Sequence, residues 1–382
     1  MRPLHVLWVP SWYPDTNNPL NGSFFREQVQ MLRRAGMKVG VVALNAVKPW
    51  QYSPKLRVSS EEGITVVRGS VPGMPHEKLP FEGELFRFAC RRALATYAKA
   101  EGIPQLVHAH SVYPAITVAS QAAHSWQVPY CLTEHRPSST ERDLSVGRGK
   151  HIRAEVRQAA GRATVSKPFA EVLQRYYDTP PWQVIALPVP EAAFALPFAP
   201  VTEQFTILHV SHLGNNKRPK MLLRAFAKAR QNTPNLHLRI VGAGAAGELQ
   251  ALSALARSLG VEEGVEFLGA LDRQQVFAQL SRADAFVLPS AVEAGGTVLA
   301  EAQAVGLPCV ATETWAGRFM VEEDTGITVP VDDVQALAGA LGEVARPGRF
   351  DRAQIRQRGR ERFSEQTFVR DTRQLYCRTL SS

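Results

Sequence analysis

Short apolar runs alternate with longer amphipathic stretches along most of the chain. In the first half the runs LHVLWV, KVGVVAL, ITVVR, LVHAH, YCLT, RATVS and WQVIAL read as strands. Their near-continuous hydrophobicity is the mark of a parallel sheet buried on both faces. SFFREQVQMLRRAG, GELFRFACRRALATYAKAEG and KPFAEVLQRYY carry helical periodicity between them. A stretch rich in proline and poor in pattern, roughly 188–204, reads as a linker. The alternation then restarts with the strands FTILHVS, LHLRIVG, VEFLG, AFVLP, PCVAT and GITVP. The helices PKMLLRAFAKARQ, AGELQALSALARSLG, DRQQVFAQLSR, TVLAEAQAVG and VQALAGALGEVAR separate them. A last helix, SEQTFVRDTRQLYCRTL, follows with no new strand.

This pattern predicts an α/β protein of two doubly wound, Rossmann-like domains. We expect one domain over 1–195, joined by a terminal helix over 364–382 that crosses back to it, and a second over 196–363. Ligands of open α/β sheets bind beyond the carboxyl ends of the strands, so the expected site is a cleft where the two domains face each other. The length of 382 residues agrees with two cores rather than one.

Composition narrows the partners. The net charge of +9 and a sequence pI near 9.6 favour anionic ligands such as nucleotides, phosphates or acidic lipid headgroups. No long basic block and no zinc or RNA-binding signature is present, so nucleic acid is not expected. Cys90, Cys131, Cys309 and Cys377 stand far apart in apolar contexts and read as buried, reduced thiols. The start LHVLWVPSWYP lacks the features of a signal peptide, and no apolar run is long enough to span a bilayer. A cytosolic protein, or one attached to the inner face of a membrane, is expected.

The stretch PSAVEAGGTVLAEAQAVGLPCVAT, Pro289 to Thr312, carries the densest chemistry. A strand ends at Pro289–Ser290, Glu293 follows in a loop, and Gly295 and Gly296 let the backbone approach a ligand closely. Thr297 opens a helix whose unpaired N–H groups and positive dipole end favour a diphosphate. Glu301 lies about one turn inside. Two carboxylates there accept hydroxyls better than they bind phosphate, which suits a sugar at one end of the ligand and a ribose at the other. The alternative is a pair of solvated glutamates at a helix start.

EAGGTVLAE followed by GLP resembles the E-x7-E motif of retaining glycosyltransferases of family 4, which have the GT-B fold. VSHLGNNKRPKMLLRAFA, LRIVGAGAAGELQAL, VEFLGAL, RADAFVLPS and DTGITVP match further family patterns in order, so the resemblance covers essentially the whole second half. It implies a glycosyltransferase that moves a sugar from a nucleotide-sugar donor to a hydroxyl acceptor with retention of anomeric configuration. By this resemblance Glu293 contacts the donor sugar, Glu301 holds the ribose, and the Gly295–Thr297 amides face the phosphates. Lys217 takes the family's lysine position against the diphosphate, where a fixed cation neutralises charge on the departing group. The family's arginine position is His212, a shorter side chain, with Arg218 or Lys220 as candidates to compensate. Gly242 and Gly244 carry over as nucleotide-side loop residues. GAGAAG also fits a dinucleotide fingerprint superficially, but it lies outside a first βαβ unit, which disfavours an oxidoreductase.

The opening PSWYPDTNNPLNGSFFREQVQML resembles bacterial cell-surface polysaccharide members of the family. Gly22 matches a loop near the donor phosphates, and Asn21 and Ser23 match acceptor-side positions, although Ser23 could serve only as a helix cap. LVHAHSVYPAITVA puts His108 and His110 on alternate positions of a strand end, expected to point to opposite faces. His110 matches a family histidine near the sugar ring, and His108 is assigned to structure. Glu134 and His135, ending the next strand, are acceptor-side candidates. Where the family's hinge carries an asparagine and an aspartate, this chain has Leu187 and Pro190.

The resemblance implies a metal-independent reaction with no cofactor, since no D-x-D motif occurs; cationic side chains and a helix end take over the metal's work. Glu293, Lys217 and His110 are then catalytic through positioning and charge stabilisation. The acceptor is expected to be a saccharide or a lipid-linked molecule. Basic residues from Arg136 to Lys167, with Arg87, Arg91 and Arg92 beside Phe86 and Phe88, form either a surface for anionic lipid or a solvated basic face. A nucleotide-sugar epimerase of similar architecture and a catalytically silent nucleotide-sugar-binding subunit are the competing readings.

Overall fold

The computed structural model describes residues 3–15, 21–73, 82–198, 200 and 202–381. Residues 16–20 of the PSWYPDTNNPLNG stretch lie outside these. The chain divides into two units: Met1–Val165, Phe169–Ile185 and Val369–Ser382 form the first, and Ser166–Pro168 with Ala186–Phe368 the second.

The first unit runs β1 (His5–Pro10), α1 (Ser23–Arg34), β2 (Lys38–Val47), β3 (Arg57–Glu61), β4 (Ile64–Pro72), α2 (Glu82–Glu101) and β5 (Leu106–His110). It continues with α3 (Ala115–Trp126), β6 (Tyr130–Glu134), α4 (Gly147–Gln158), β7 (Gly161–Thr164), α5 (Lys167–Tyr177) and β8 (Gln183–Val184). Its sheet has the order β3-β4-β2-β1-β5-β6-β7-β8, parallel except for β3, which pairs antiparallel with β4 at the edge. Every residue of β1 and β5 is buried, as a central parallel strand requires.

The second unit comprises β9 (Phe205–Val210), α6 (Pro219–Asn232), β10 (Leu236–Val241), α7 (Glu248–Ser258), β11 (Val265–Gly269) and α8 (Arg273–Ser281). Then follow β12 (Ala285–Leu288), α9 (Thr297–Ala304), β13 (Cys309–Thr312), α10 (Trp315–Met320) and β14 (Gly326–Val329). Two helices, α11 (Val334–Val344) and α12 (Arg352–Phe363), complete it. Its sheet, β11-β10-β9-β12-β13-β14, is parallel throughout. Strand residues alternate between two cores. Ile207, Ala285, Val287 and Val310 join one cluster, while Leu208, Phe286, Leu288 and Ala311 join the other. A period of two thus feeds both faces, which is why these strands show no polar alternation.

The proline-rich stretch after β8 is packed chain. The Val189 amide donates to the Phe363 carbonyl at 2.8 Å, and Ala193 and Phe194 are buried. Helix α12 meets α9 backbone to backbone at Gly359, where a methyl group would lie 3.1 Å from the Gln303 carbonyl.

The final helix, α13 (Glu365–Leu380), begins in the second unit and ends in the first. There the buried Tyr376 hydroxyl accepts the Trp8 indole N–H at 2.9 Å and lies 2.9 Å from His108 Nδ1. Cys377 corrects the expectation of four buried thiols: it is exposed, whereas Cys90, Cys131 and Cys309 are buried. One residue along a helix turns the side chain by about 100°, so the neighbour of an inward Tyr376 faces outward.

Replacing Tyr376 by Phe strands two buried polar atoms. We expect the first unit to lose about 2–3 kcal/mol in urea unfolding, against less than about 0.5 kcal/mol for Cys377→Ser. Equal stabilities would contradict the role given to the hydroxyl.

Candidate functional site

Strands β9 and β12 are adjacent, yet the chain leaves β9 for β10 on one side and β12 for β13 on the other. Loops leaving such a reversal point diverge and leave room for a ligand at the strands' carboxyl ends. The loop after β9 closes in a short turn, Asn215–Lys217, before Pro219 opens α6. Asn216 stitches this turn to the loop after β12. Its carbonyl accepts the Ala291 amide at 2.8 Å, and its side chain exchanges two 3.0 Å bonds with the Val292 backbone. The stitch sets Lys217 against Glu293, and the two side chains form a partly buried ion pair. The Ser290 hydroxyl lies 3.5 Å from the same carboxylate oxygen, and the Glu293 carbonyl accepts the Ala316 amide at 2.9 Å.

Gly295 and Gly296 are both buried. Gly296 caps α9 in the left-handed region at φ 54°, with no side chain supplying a cap. A methyl group there would lie 3.0 Å from Ala316 Cβ and 3.1 Å from both Leu299 Cδ1 and Met320 Sδ. Thr297 is the first helical residue. Glu301, largely buried, accepts a 3.0 Å bond from Arg273 at the start of α8.

His212 is exposed at the end of β9, and its Nδ1 lies 2.5 Å from the Ala243 carbonyl. A carbonyl only accepts, so Nδ1 is the donor in this bond. Gly242 adopts φ 138°, and a methyl group on it would stand 1.8 Å from the Ser211 carbonyl oxygen. Gly244 is crowded by Glu248 and the Leu213 carbonyl. These two glycines therefore let the loop after β10 lie against the loop after β9. Arg218 is engaged elsewhere, with bonds of 2.6 and 3.0 Å to Asp332, and Lys220 sits 3.8 Å from Glu248.

In the first unit, candidate residues cluster where β1, β5 and β6 end. His108 and His110 share one face, correcting the expectation of opposite faces; their ring centroids are 3.9 Å apart. Residues i and i+2 of a strand always point the same way. His108 bridges Tyr376 and the Thr133 hydroxyl, which lies 2.8 Å from its Nε2. His110 packs on Trp8 at 3.8 Å between centroids, and its Nδ1 lies 3.2 Å from His135 Nε2. Burial and neighbouring rings hold His108 and His110 well below the ordinary histidine range. Burial brings His135 down to about 3, with the Arg136 charge contributing. All three rings are neutral at pH 7.

Glu134 is fully buried, and its carboxylate accepts the amides of Val112 at 2.7 Å, His135 at 2.7 Å and Arg136 at 2.6 Å. Burial raises its pKa while these amides oppose the rise. Its task is to shape two loops, including Ser111, held in the left-handed region at φ 64°. Gly22, at φ 78°, caps α1 beneath Trp12, where a methyl group would approach the indole to 2.7 Å. Ser23 is therefore the first helical residue rather than the cap, and no side chain caps this helix. Asn21 is exposed and Ser23 partly buried beside it.

Sequence reasoning missed Asn216, Arg273 and His209. The buried His209 donates from Nδ1 to the Val287 carbonyl at 2.9 Å and faces Ser211 Oγ at 2.7 Å. Burial lowers it to about 4, so it is a neutral strut. For Arg273 a signal existed: Asp272 and Gln275 form a capping box that marks the helix start carrying it. Among the described residues, no group of three or more His, Cys, Asp or Glu side chains could hold a metal ion.

Two Rossmann-like units with these sheet orders are the architecture of GT-B glycosyltransferases, which move a sugar from a nucleotide-sugar to an acceptor. Residues 22–192 match the model described as Glycosyltransferase Family 4, and residues 197–362 match Glycosyl transferases group 1. The chain belongs to this family of GT-B glycosyltransferases. It is 26% identical over 358 residues to D-inositol 3-phosphate glycosyltransferase of Corynebacterium urealyticum, covering 84% of this chain and 81% of that protein. It is 25% identical over 373 residues to the putative teichuronic acid biosynthesis glycosyltransferase TuaC of Bacillus subtilis, covering 88% of each. In fold it resembles Anabaena Alr3699/HepE in complex with UDP and glucose, with a TM-score of 0.71 and 18% identity over 98% of this chain and 99% of that one. Sucrose-phosphate synthase from Thermosynechococcus elongatus matches with a TM-score of 0.71 and 19% identity over 99% of both chains.

Gly296→Ala combines a left-handed backbone with three close contacts and should cost the second unit roughly 1–3 kcal/mol in urea unfolding. Gly348→Ala, also at positive φ but with nothing within 4 Å, should cost less. The reverse order would mean that the Gly296 contacts do not constrain the entry to α9.

Proposed function

We propose that the protein transfers a sugar from a nucleotide-sugar to a hydroxyl of a saccharide or lipid-linked acceptor in bacterial polysaccharide assembly, with retention at the anomeric carbon. The observation that carries this reading is the Lys217–Glu293 pair beside the glycine-capped start of α9. An ammonium has three donors, and Glu293 engages one, so the others are available to diphosphate oxygens. The N–H groups opening α9 add a second source of positive potential for the same anion. Glu293 holds the donor sugar's hydroxyls, and Glu301, fixed by Arg273, accepts from the ribose. His212 and the Gly242–Gly244 loop flank the nucleotide.

In the proposed reaction the anomeric carbon–oxygen bond breaks with its electron pair passing to the diphosphate. The acceptor oxygen bonds to the same face of the sugar, and its proton goes to the departing phosphate oxygen. Lys217 and the helix end stabilise charge on that group, so no dedicated protein base is required. On the first unit, the neutral His110 serves the sugar ring, Gly22 the donor phosphates, and His135 with Asn21, Ser23 and Glu134 the acceptor. Being neutral, these histidines offer hydrogen bonds rather than charge.

No helix among the described residues is long and apolar enough to cross a membrane. Contact with an anionic membrane is supported by α2, where Phe88 is 46% exposed beside the exposed Arg91 and Arg92. Anionic lipid attracts such residues through a field that salt screens.

Nucleoside diphosphate release from a panel of UDP- and GDP-sugars, with and without saccharide acceptors, tests the reaction. Glu293→Ala and Lys217→Ala should each lower turnover at least about a hundredfold with unfolding curves unchanged. Near-normal turnover in either variant refutes the assignment, and a changed sugar without release would indicate epimerisation. For the membrane contact, cosedimentation with vesicles containing anionic lipid should be strong in low salt, lost in high salt and weakened by Arg91→Glu with Arg92→Glu. Equal sedimentation with neutral vesicles would exclude it.

A further inference from the structure

The first unit holds a cavity of about 920 Å³ that the reaction above does not use. It lies among α2, α3 and α4, and its lining runs from Tyr113, just before α3, to Pro129, just after it. Helix α3, whose twelve residues span about 18 Å, contributes lining residues from end to end.

The walls are of mixed character. Glu155 lies within the lining as a largely buried carboxyl whose side chain meets the Thr117 hydroxyl at 2.8 Å and no cation among the described residues. Ser120, Gln121 and Gln158 add uncharged polar groups. Phe86 and Tyr113 present nearly parallel rings, with centroids 6.2 Å apart. Arg148, partly buried, lies over the Tyr113 ring at 4.6 Å, and Arg87 is exposed at the lining.

A hydrocarbon chain fits these walls poorly. It would leave the Glu155 carboxyl with the Thr117 hydroxyl alone and Gln121 Oε1 facing apolar matter, at a cost of a few kcal/mol for each unsatisfied group. A saccharide offers hydroxyls to those groups and flat C–H faces to the aromatic rings. The two arginines of the lining favour acidic substituents on it, since guanidinium pairs with carboxylate in a planar, two-bond geometry. We propose that this cavity is a second saccharide site, separate from the donor site, that binds an extended acidic oligosaccharide along α3. Its use in catalysis, holding the chain of an acceptor or product, rests on the proposed saccharide acceptor; the binding itself does not.

Isothermal titration of the full chain with α-1,4-linked tetragalacturonate, and with neutral maltotetraose for comparison, tests this. Tetragalacturonate should bind at least about tenfold more tightly than maltotetraose. Ser120→Trp, which fills the cavity from α3, and Arg148→Glu, which reverses charge at the cavity wall, should each weaken it at least tenfold. Both variants should bind nucleoside diphosphate as the unaltered protein does, so a failure here is separable from failure of the donor site. The proposal is overturned if neither saccharide binds, if maltotetraose binds as well as tetragalacturonate, or if neither variant changes the affinity. Displacement of bound tetragalacturonate by Ser120→Trp but not by Arg148→Glu would remove the acidic specificity and overturn it in the form stated. Tighter binding of an alkyl phosphate than of tetragalacturonate, abolished by Ser120→Trp, would assign the cavity to lipid instead.

Discussion

The pairing of Lys217 with Glu293 joins residues 76 positions apart, and it exists only because β9 and β12 are neighbours in the sheet. Neither loop alone would hold its charge in place. A lysine side chain is long and loses considerable freedom when fixed. Asn216 reduces that burden by fixing the backbone on both sides before the side chains meet. The same loop is tied onward through the Glu293 carbonyl to α10, whose own cap is the Thr314 hydroxyl accepting from Gly317 at 3.1 Å. Charge placement in the second unit therefore rests on backbone hydrogen bonds, with the ion pair as their last product.

The first unit solves a different problem. Its strand-end cluster is built from imidazole rings held neutral by burial, with Trp8 and Phe25 packed against them. Buried polar groups must be satisfied, and His108 is satisfied by Tyr376 on one side and Thr133 on the other. The terminal helix is thereby part of the strand-end chemistry of this unit. Its contribution enters through a single phenol.

Much of this was readable in the chain, for physical reasons that also mark the limits. Buried parallel strands announce themselves by unbroken apolar runs, and thirteen of the fourteen were legible. The exception, β3, is an edge strand with sequence RVSSE and only one apolar residue, and its residues are exposed or only partly buried. Helices α3 and α4 passed unnoticed: α3 is so rich in small residues that its buried and exposed faces differ little, and α4 buries only Gly149, Ile152 and Val156. Helix α12 buries just Ile355, Gly359 and Phe363 among arginines and glutamines. In the second unit, the placement of Glu293, Gly296 and Glu301 could be read, because they lie within one loop and helix. Asn216 and His209 could not, since their partners come from a distant loop and strand, whereas the Asp272–Gln275 capping box marks the helix start that carries Arg273. The two histidines of β5 were misplaced by neglect of the period of two, a reading the sequence itself supports.

Gly359 has an effect out of proportion to its size. Because α12 and α9 touch through backbone there, the thickness of one side chain sets the height of the helix that carries Glu301 and starts at Thr297. A bulkier residue would act as a shim from behind, tilting that helix without altering any of its own side chains. Drift at one concealed, chemically inert position could then retune which ligand the front of the sheet accepts.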